Sequence, residues 1–180
     1  MKHISFICAC LLSCVVFAQQ AYNVASPYDP ATIPVSEEQR GEVITFSINQ
    51  SLRYPGTTRE ILVYIPQQYN DTAPACLLVC MDGILYDATT VLDNLITSGE
   101  MPVTIGVFIN PGVVYDEDHN VVRYNRCKEF DSTDDTWAQF IEQEVLPQVR
   151  ALKTKAGQSI NISSDPNDCA ITGASSGGIA

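Results

Sequence analysis

The alternation of apolar and polar positions changes character twice along this chain. Residues 4–17 are almost wholly apolar, and residues 19–41 carry no apolar period, which reads as a linker or N-terminal arm. Residues 42–49 and 59–66 then alternate (Val43, Thr45; Ile61, Val63, Ile65), with the turn signal Tyr54-Pro55-Gly56 between them. They predict an antiparallel pair with one covered face. From residue 75 the pattern becomes continuous: residues 75–81 and 103–109 are unbroken apolar runs. Between them Val91, Leu92, Leu95 and Ile96 fall at helical spacing over residues 87–98, with Gly99 as a stop. Near-continuous apolar strands around an amphipathic helix predict a parallel sheet covered on both faces.

Residues 111–130 read as a long polar loop, of the kind usually tied to function. Ser132 or Thr133 is expected to cap a helix with Asp134 and Asp135 in its first turn. Trp137, Phe140, Ile141, Val145, Val149 and Leu152 form its apolar face, and Pro147 is expected to kink it. A turn at residues 164–167 leads into a short apolar strand, Cys169–Thr172. The order β-β-β-α-β-α-β predicts an α/β fold entered through an antiparallel edge.

Composition adds bounds. With 180 residues, 46% hydrophobic and 17% charged, the chain is one globular domain's worth. A basic start at Lys2, the apolar stretch and small residues before Gln19-Gln20 predict a secretory signal peptide over residues 1–18, cleaved after Ala18. That stretch falls short of the ~20 apolar residues of a membrane span. Leu12-Ser13-Cys14 loosely resembles a lipoprotein cleavage box, so an anchor at Cys14 is the alternative to a freely secreted or periplasmic protein. The expected organisation is therefore leader (1–18), arm (19–41) and folded domain (42–180). The formal charge of −11 becomes −12 when Lys2 leaves (−11 − 1 = −12), and an acidic surface disfavours nucleic acid as a partner.

Three of the seven cysteines lie in the leader; Cys76, Cys80, Cys127 and Cys169 remain. Cys76 and Cys80 share one strand, about 13 Å apart at strand rise, and cannot bridge each other. Buried free thiols are expected. Nothing has metal-ligand spacing, and neither metal nor cofactor is expected. Asn49-Gln50-Ser51, Asn70-Asp71-Thr72 and Asn161-Ile162-Ser163 fit the glycan-acceptor pattern where the host glycosylates.

The chemistry concentrates at Gly173-Ala174-Ser175-Ser176-Gly177-Gly178, directly after the last strand. Gly-x-Ser-x-Gly there is the pattern of a nucleophile elbow: the serine sits on a strained turn with its hydroxyl above the sheet, and side chains at the flanking positions would clash. Ser175 is the candidate nucleophile, and the backbone amide of Ser176 one oxyanion donor. The second donor is expected from the turn after the first buried parallel strand, Asp82-Gly83-Ile84, as the amide of Ile84 or Gly83. Asp82 either orients that turn or holds a substrate hydroxyl. Arg126 and Glu129 are expected to form an ion pair, with substrate binding as the other role for Arg126. Against these stand plainer readings: a Gly/Ser turn that only redirects the chain, and an ordinary strand-ending turn.

Met81-Asp82-Gly83, Arg123-x-x-Arg126-x-x-Glu129-Phe130-Asp131, Phe140-Ile141-x-x-Glu144-x-Leu146-Pro147-x-Val149 and the stretch from Ala170 to Gly178 occur in one order. Together they resemble the esterase family of α/β hydrolases that includes enterochelin esterase, feruloyl and acetylxylan esterases and the antigen 85 mycolyltransferases. The resemblance implies the N-terminal part of an α/β-hydrolase fold, with carboxylic ester cleavage through an acyl-enzyme on Ser175. Its substrates would be siderophore, feruloyl or acetyl-polysaccharide, or similar small-molecule or polysaccharide-linked esters. In that family the acid and histidine follow the nucleophile, so the resemblance implies that residues up to Ala180 lack them and are inactive alone. His119, in the polar loop, precedes Ser175 and reads as a solvated residue. A non-catalytic secreted binding module on the same scaffold, and a structural domain with a coincidental elbow, are the competing readings.

Overall fold

The computed structural model describes residues 30–180. The expected leader, its expected cleavage after Ala18, the Cys14 alternative and the first part of the expected arm lie outside the described residues. β1 (Glu42–Ile48) and β2 (Arg59–Ile65) pair antiparallel, from Glu42 opposite Ile65 to Ile48 opposite Arg59. Their connection turns where expected: the Thr57 amide donates to the Tyr54 carbonyl at 3.3 Å, and Gly56 takes φ +78°. Ile61, Val63 and Ile65 of β2 are buried, as the alternation requires. On β1 the covered face is Ile44, Phe46 and Ile48, not Val43 and Thr45. Val43 lies opposite Tyr64 and is 39% exposed, because that face of the edge strand has little over it.

β3 (Cys76–Met81) and β4 (Thr104–Ile109) pair in parallel, and β7 (Cys169–Thr172) extends the parallel part beside β3. The sheet order is β1-β2-β4-β3-β7, with β4 antiparallel to β2. The α/β class and its antiparallel entry are thus as the pattern predicts. β7 is the far edge; all four of its residues are exposed, Ile171 by 57%.

Helix α1 (Ala88–Thr97) covers one face, packing Leu92 and Ile96 on Tyr64, Cys80 and Phe108. It ends before Gly99, whose φ of +77° suits the residue without a Cβ. It also buries Asp93, which the pattern did not single out. That carboxylate accepts from the Tyr64 hydroxyl at 2.7 Å and the Gly41 amide at 2.8 Å, tying helix, sheet and arm together. Burial, with Asp93 adding to it, pushes the Tyr64 phenol well above its ordinary value.

The other face is covered by one interrupted helix: α3 (Thr136–Phe140), a π-helical turn (Ile141–Val145) and α4 (Leu146–Ala151). The wide turn is how Pro147 is accommodated. Proline has no N–H and crowds the carbonyl four residues back, so the ladder widens just before it and the Leu146 amide donates to the Ile141 carbonyl. Phe140, Val145 and Val149 are fully buried, Trp137 and Ile141 nearly so, and Leu152 packs at the margin. The cap lies later than predicted. Ser132 Oγ accepts from the Asp134 amide at 3.5 Å within its own turn, and Asp134 Oδ1 takes the Thr136 amide at 2.9 Å instead.

Residues 111–130 are not a loop. They form a hairpin, β5 (Val113–Tyr115) and β6 (Val121–Tyr124), followed by helix α2 (Arg126–Phe130). The polar residues build the hairpin turn: Asp116 Oδ1 accepts the amides of Asp118 and Asn120 at 3.0 and 2.8 Å, and His119 takes φ +61°.

The cysteines also differ from expectation, since only Cys80 is buried; Cys127 and Cys169 are exposed and Cys76 is intermediate. Cys127 belongs to a short surface helix and Cys169 to the edge strand. Burial disfavours the Cys80 thiolate and pushes its thiol up to about 11. Iodoacetamide at pH 8 is therefore expected to alkylate Cys127 and Cys169 first in the native protein, with Cys80 reacting only on unfolding. Peptide mapping of a time course reads the order, and early labelling of Cys80 would contradict this packing.

Candidate active site

β7 delivers the chain to Gly173 and Ala174, and a 3-10 turn over Ser175–Gly178 follows at once. Ser175 takes φ +56°, in the left-handed region. For a residue with a side chain that conformation is uncommon and costs about 1–3 kcal/mol, so the surroundings must hold it. The two flanking glycines are what allow it. A Cβ on Gly173 would run into the carbonyl group of Gly177, and one on Gly177 would stand 2.9 Å from Met81 Cβ and 3.0 Å from Asp82 Oδ2. Ser175 is exposed, and among the described residues its hydroxyl has no hydrogen-bond partner. The turn's own bonds run from the Gly177 amide to the Ala174 carbonyl (3.0 Å) and from the Ile179 amide to the Ser176 carbonyl (3.1 Å), using neither the Ser175 nor the Ser176 amide.

Beside it lies the turn after β3. Asp82 and Gly83 take φ +66° and +73°. A Cβ on Gly83 would strike the side-chain oxygen of Asn110, at the end of β4. The Gly83 amide donates to the Ile109 carbonyl at 3.2 Å, whereas the Ile84 amide has no partner among the described residues. Of the two donors left open by the sequence, Ile84 is the one with a free N–H.

Arg126 does not pair with Glu129. Its guanidinium grips Asp82 with two bonds, Nε to Oδ1 at 2.5 Å and Nη2 to Oδ2 at 2.6 Å, and Nη2 also donates to the Ala174 carbonyl at 3.2 Å. The bond to Asp82 holds the Arg126 guanidinium above its ordinary value. Glu129, one turn along the same short helix, points the other way. It forms a fully buried fork with Arg59 at 2.7 and 2.8 Å, and also accepts from the Gly112 amide (3.1 Å) and the Asn125 side chain (3.0 Å). Phe140 and Tyr54 lie 4.3 and 5.2 Å from the Arg59 carbon, so the pair sits in an aromatic cage. It anchors α2, and α2 presents Arg126. Arg59 carried a usable signal: it occupies the inward phase of β2 with Ile61, Val63 and Ile65, where a charge needs a buried partner. Nothing in the sequence identified Asn110 or Asn125.

A cavity of about 400 Å³ opens beside both turns, lined by Gly83, Leu85, Tyr86, Gly173 and Ala174 near the site and by Leu92 and Phe108 deeper in. His119 stands at the tip of the β5–β6 hairpin, its amide bonded to the Asp116 carbonyl at 3.1 Å. Among the described residues no cluster of three or more His, Cys, Asp or Glu is arranged to hold a metal, and no helix is long and apolar enough to cross a membrane.

A mixed sheet whose β4-β3-β7 side is parallel, helices on both faces and a glycine-flanked serine turn directly after a parallel strand define part of an α/β-hydrolase fold. The chain belongs to the esterase family described as "Putative esterase", whose model matches residues 53–180. No curated protein matches the sequence. Among solved structures it is similar to a serine-to-alanine variant of the feruloyl esterase module from Clostridium thermocellum complexed with sinapinate (17% identity, TM-score 0.53, 84% of this chain and 50% of that one). It is also similar to a ferulic acid esterase from the anaerobic fungus Anaeromyces mucronatus (14% identity, TM-score 0.55, 84% and 56%). The chain thus spans about half the length of the solved structures it matches. At these identities the likeness is one of fold.

Proposed function

We propose that this chain carries the nucleophile and oxyanion site of a serine carboxylic ester hydrolase. The observation that carries the reading is the left-handed Ser175, held between two glycines that admit no side chain at the end of a parallel strand. In the reaction, Ser175 Oγ bonds to the ester carbonyl carbon, the carbonyl oxygen takes the negative charge, and the amides of Ser176 and Ile84 receive it. The C–O bond to the alcohol then breaks, leaving an acyl-enzyme that water hydrolyses. Each preorganised donor of this kind is typically worth about 3 kcal/mol of barrier.

Ser175 needs a base to take its proton. The described residues offer none bonded to it, and His119 stands at the tip of the β5–β6 hairpin. On the esterase reading, a histidine and an acid outside the described residues supply that base. The competing reading is a secreted module on the same scaffold that binds esters without cleaving them. The leader-like residues 1–18 support export, and the acidic charge supports an uncharged or polysaccharide-linked ester over nucleic acid. Sinapinate, bound in the complex of one fold relative, makes aromatic acyl esters the first substrates to try.

The test is hydrolysis of p-nitrophenyl acetate and a feruloyl ester by the complete gene product. Ser175→Ala is expected to lower kcat by about 10³-fold or more with the fold intact. Wild-type protein that binds these esters but never releases acid would support the binding module; unchanged turnover in Ser175→Ala would end the serine mechanism.

A further inference from the structure

The two turns offered as the oxyanion site are not held by the sheet alone. A single guanidinium joins them. Arg126 grips the Asp82 carboxylate with both bonds of its fork, and the same Nη2 reaches the carbonyl of Ala174, the residue before Ser175. Asp82 begins the turn that carries Ile84 and takes φ +66°, a conformation that needs support from its surroundings. Its Oδ2 also lies against Gly177, where an added Cβ would be only 3.0 Å away. The carboxylate is therefore packed between Arg126 and the serine turn, and the guanidinium spans both turns from one side.

We infer that Arg126, acting through Asp82 and the Ala174 carbonyl, is a positioning residue that sets the separation of the Ile84 and Ser176 amides. This rests on the esterase reading of Ser175. It differs from a substrate-binding role for either side chain, because Arg126 directs three bonds at protein acceptors and Asp82 is occupied by Arg126. Arg126 itself is fixed from behind by α2, whose Glu129 is locked into the Arg59 fork. Without Arg126, Asp82 loses the partner that offsets its strained backbone, the Ile84 turn is free to shift, and its amide moves relative to that of Ser176. Geometry of that kind acts on the transition state more than on ground-state binding.

Steady-state kinetics of the complete gene product on p-nitrophenyl acetate and p-nitrophenyl butyrate test this, with Ser175→Ala as control. Arg126→Ala is expected to lower kcat by about 100-fold, by the same factor on both esters, with KM changed less than about threefold. Asp82→Asn is expected to lower kcat similarly, and the double variant by no more than the larger single loss, since both changes release one clamp. Arg126→Lys keeps the charge without the fork and should recover only part of the rate. A raised KM with near-normal kcat, factors that differ between the two esters, or additive losses in the double variant would overturn the clamp and leave the esterase reading standing. Full activity in Ser175→Ala would overturn that reading itself. Should Arg126→Ala fail to fold, Arg126→Lys and Asp82→Asn decide by the same split between kcat and KM.

Discussion

Replacing Glu129 by alanine is expected to destabilise the fold by about 3–5 kcal/mol, because removing one member of a buried ion pair strands the other in a low-dielectric interior. Both side chains are fully buried, and among the described residues Glu129 is the only acceptor bonded to the two guanidinium nitrogens apart from the Thr57 hydroxyl, 3.0 Å from Arg59 Nη2. Arg59 would be left among Tyr54, Trp137 and Phe140, whose ring faces compensate only in part. Denaturant unfolding followed by tryptophan fluorescence reads the loss, since Trp137 lies in the same cage. The double variant Arg59→Met/Glu129→Leu should recover part of it by removing both charges. Recovery stays partial because the Gly112 amide and the Asn125 side chain lose their acceptor. A loss below about 1 kcal/mol in Glu129→Ala, the range of solvent-exposed pairs, would mean that this pair is hydrated in solution.

Gly173→Ala is the second large effect. The added Cβ meets the Gly177 carbonyl group, which is backbone within the same turn and cannot swing aside as a side chain would. Relief requires the turn to open, at a cost of about 3 kcal/mol, at the upper end of overpacking penalties. Opening it moves Ser175 away from the Ser176 and Ile84 amides, so ester turnover should fall together with stability. Gly56→Ala is the matched control: its Cβ meets nothing within 4 Å, so it bears only the strain of its φ of +78° and leaves the site alone. Equal turnover in wild type and Gly173→Ala would show that the tight bend is dispensable.

Strands β2, β3 and β4 and the two covering helices were legible because each lies where burial imposes a period. Continuous apolar runs marked β3 and β4, and Trp137, Phe140, Ile141, Val145, Val149 and Leu152 at helical spacing marked the interrupted helix of α3 and α4, despite the proline within it. The face of β1 was misread because an edge strand buries only one side weakly, so Val43 and Ile44 looked equally eligible. The hairpin at Val113–Tyr124 was missed because its strands are three and four residues long and mostly exposed, leaving no apolar period to detect. At the site, the serine turn was legible because glycine is required at both flanks. The partners of Arg126 and Glu129 were not, since residues one helical turn apart seem natural partners on a helix. Here the helix is five residues long and spans two environments, and each charge finds its partner across the fold, 44 and 70 positions away in sequence.

We propose that the bend at Ser175 presents a reactive hydroxyl beside free amides. Treating the complete gene product with a fluorophosphonate and mapping the adduct by peptide mass spectrometry tests it most directly. The expected result is one phosphonylated residue, Ser175, with the adduct absent from Ser175→Ala. An adduct on a different serine in protein that hydrolyses esters would rule out Ser175 as the nucleophile.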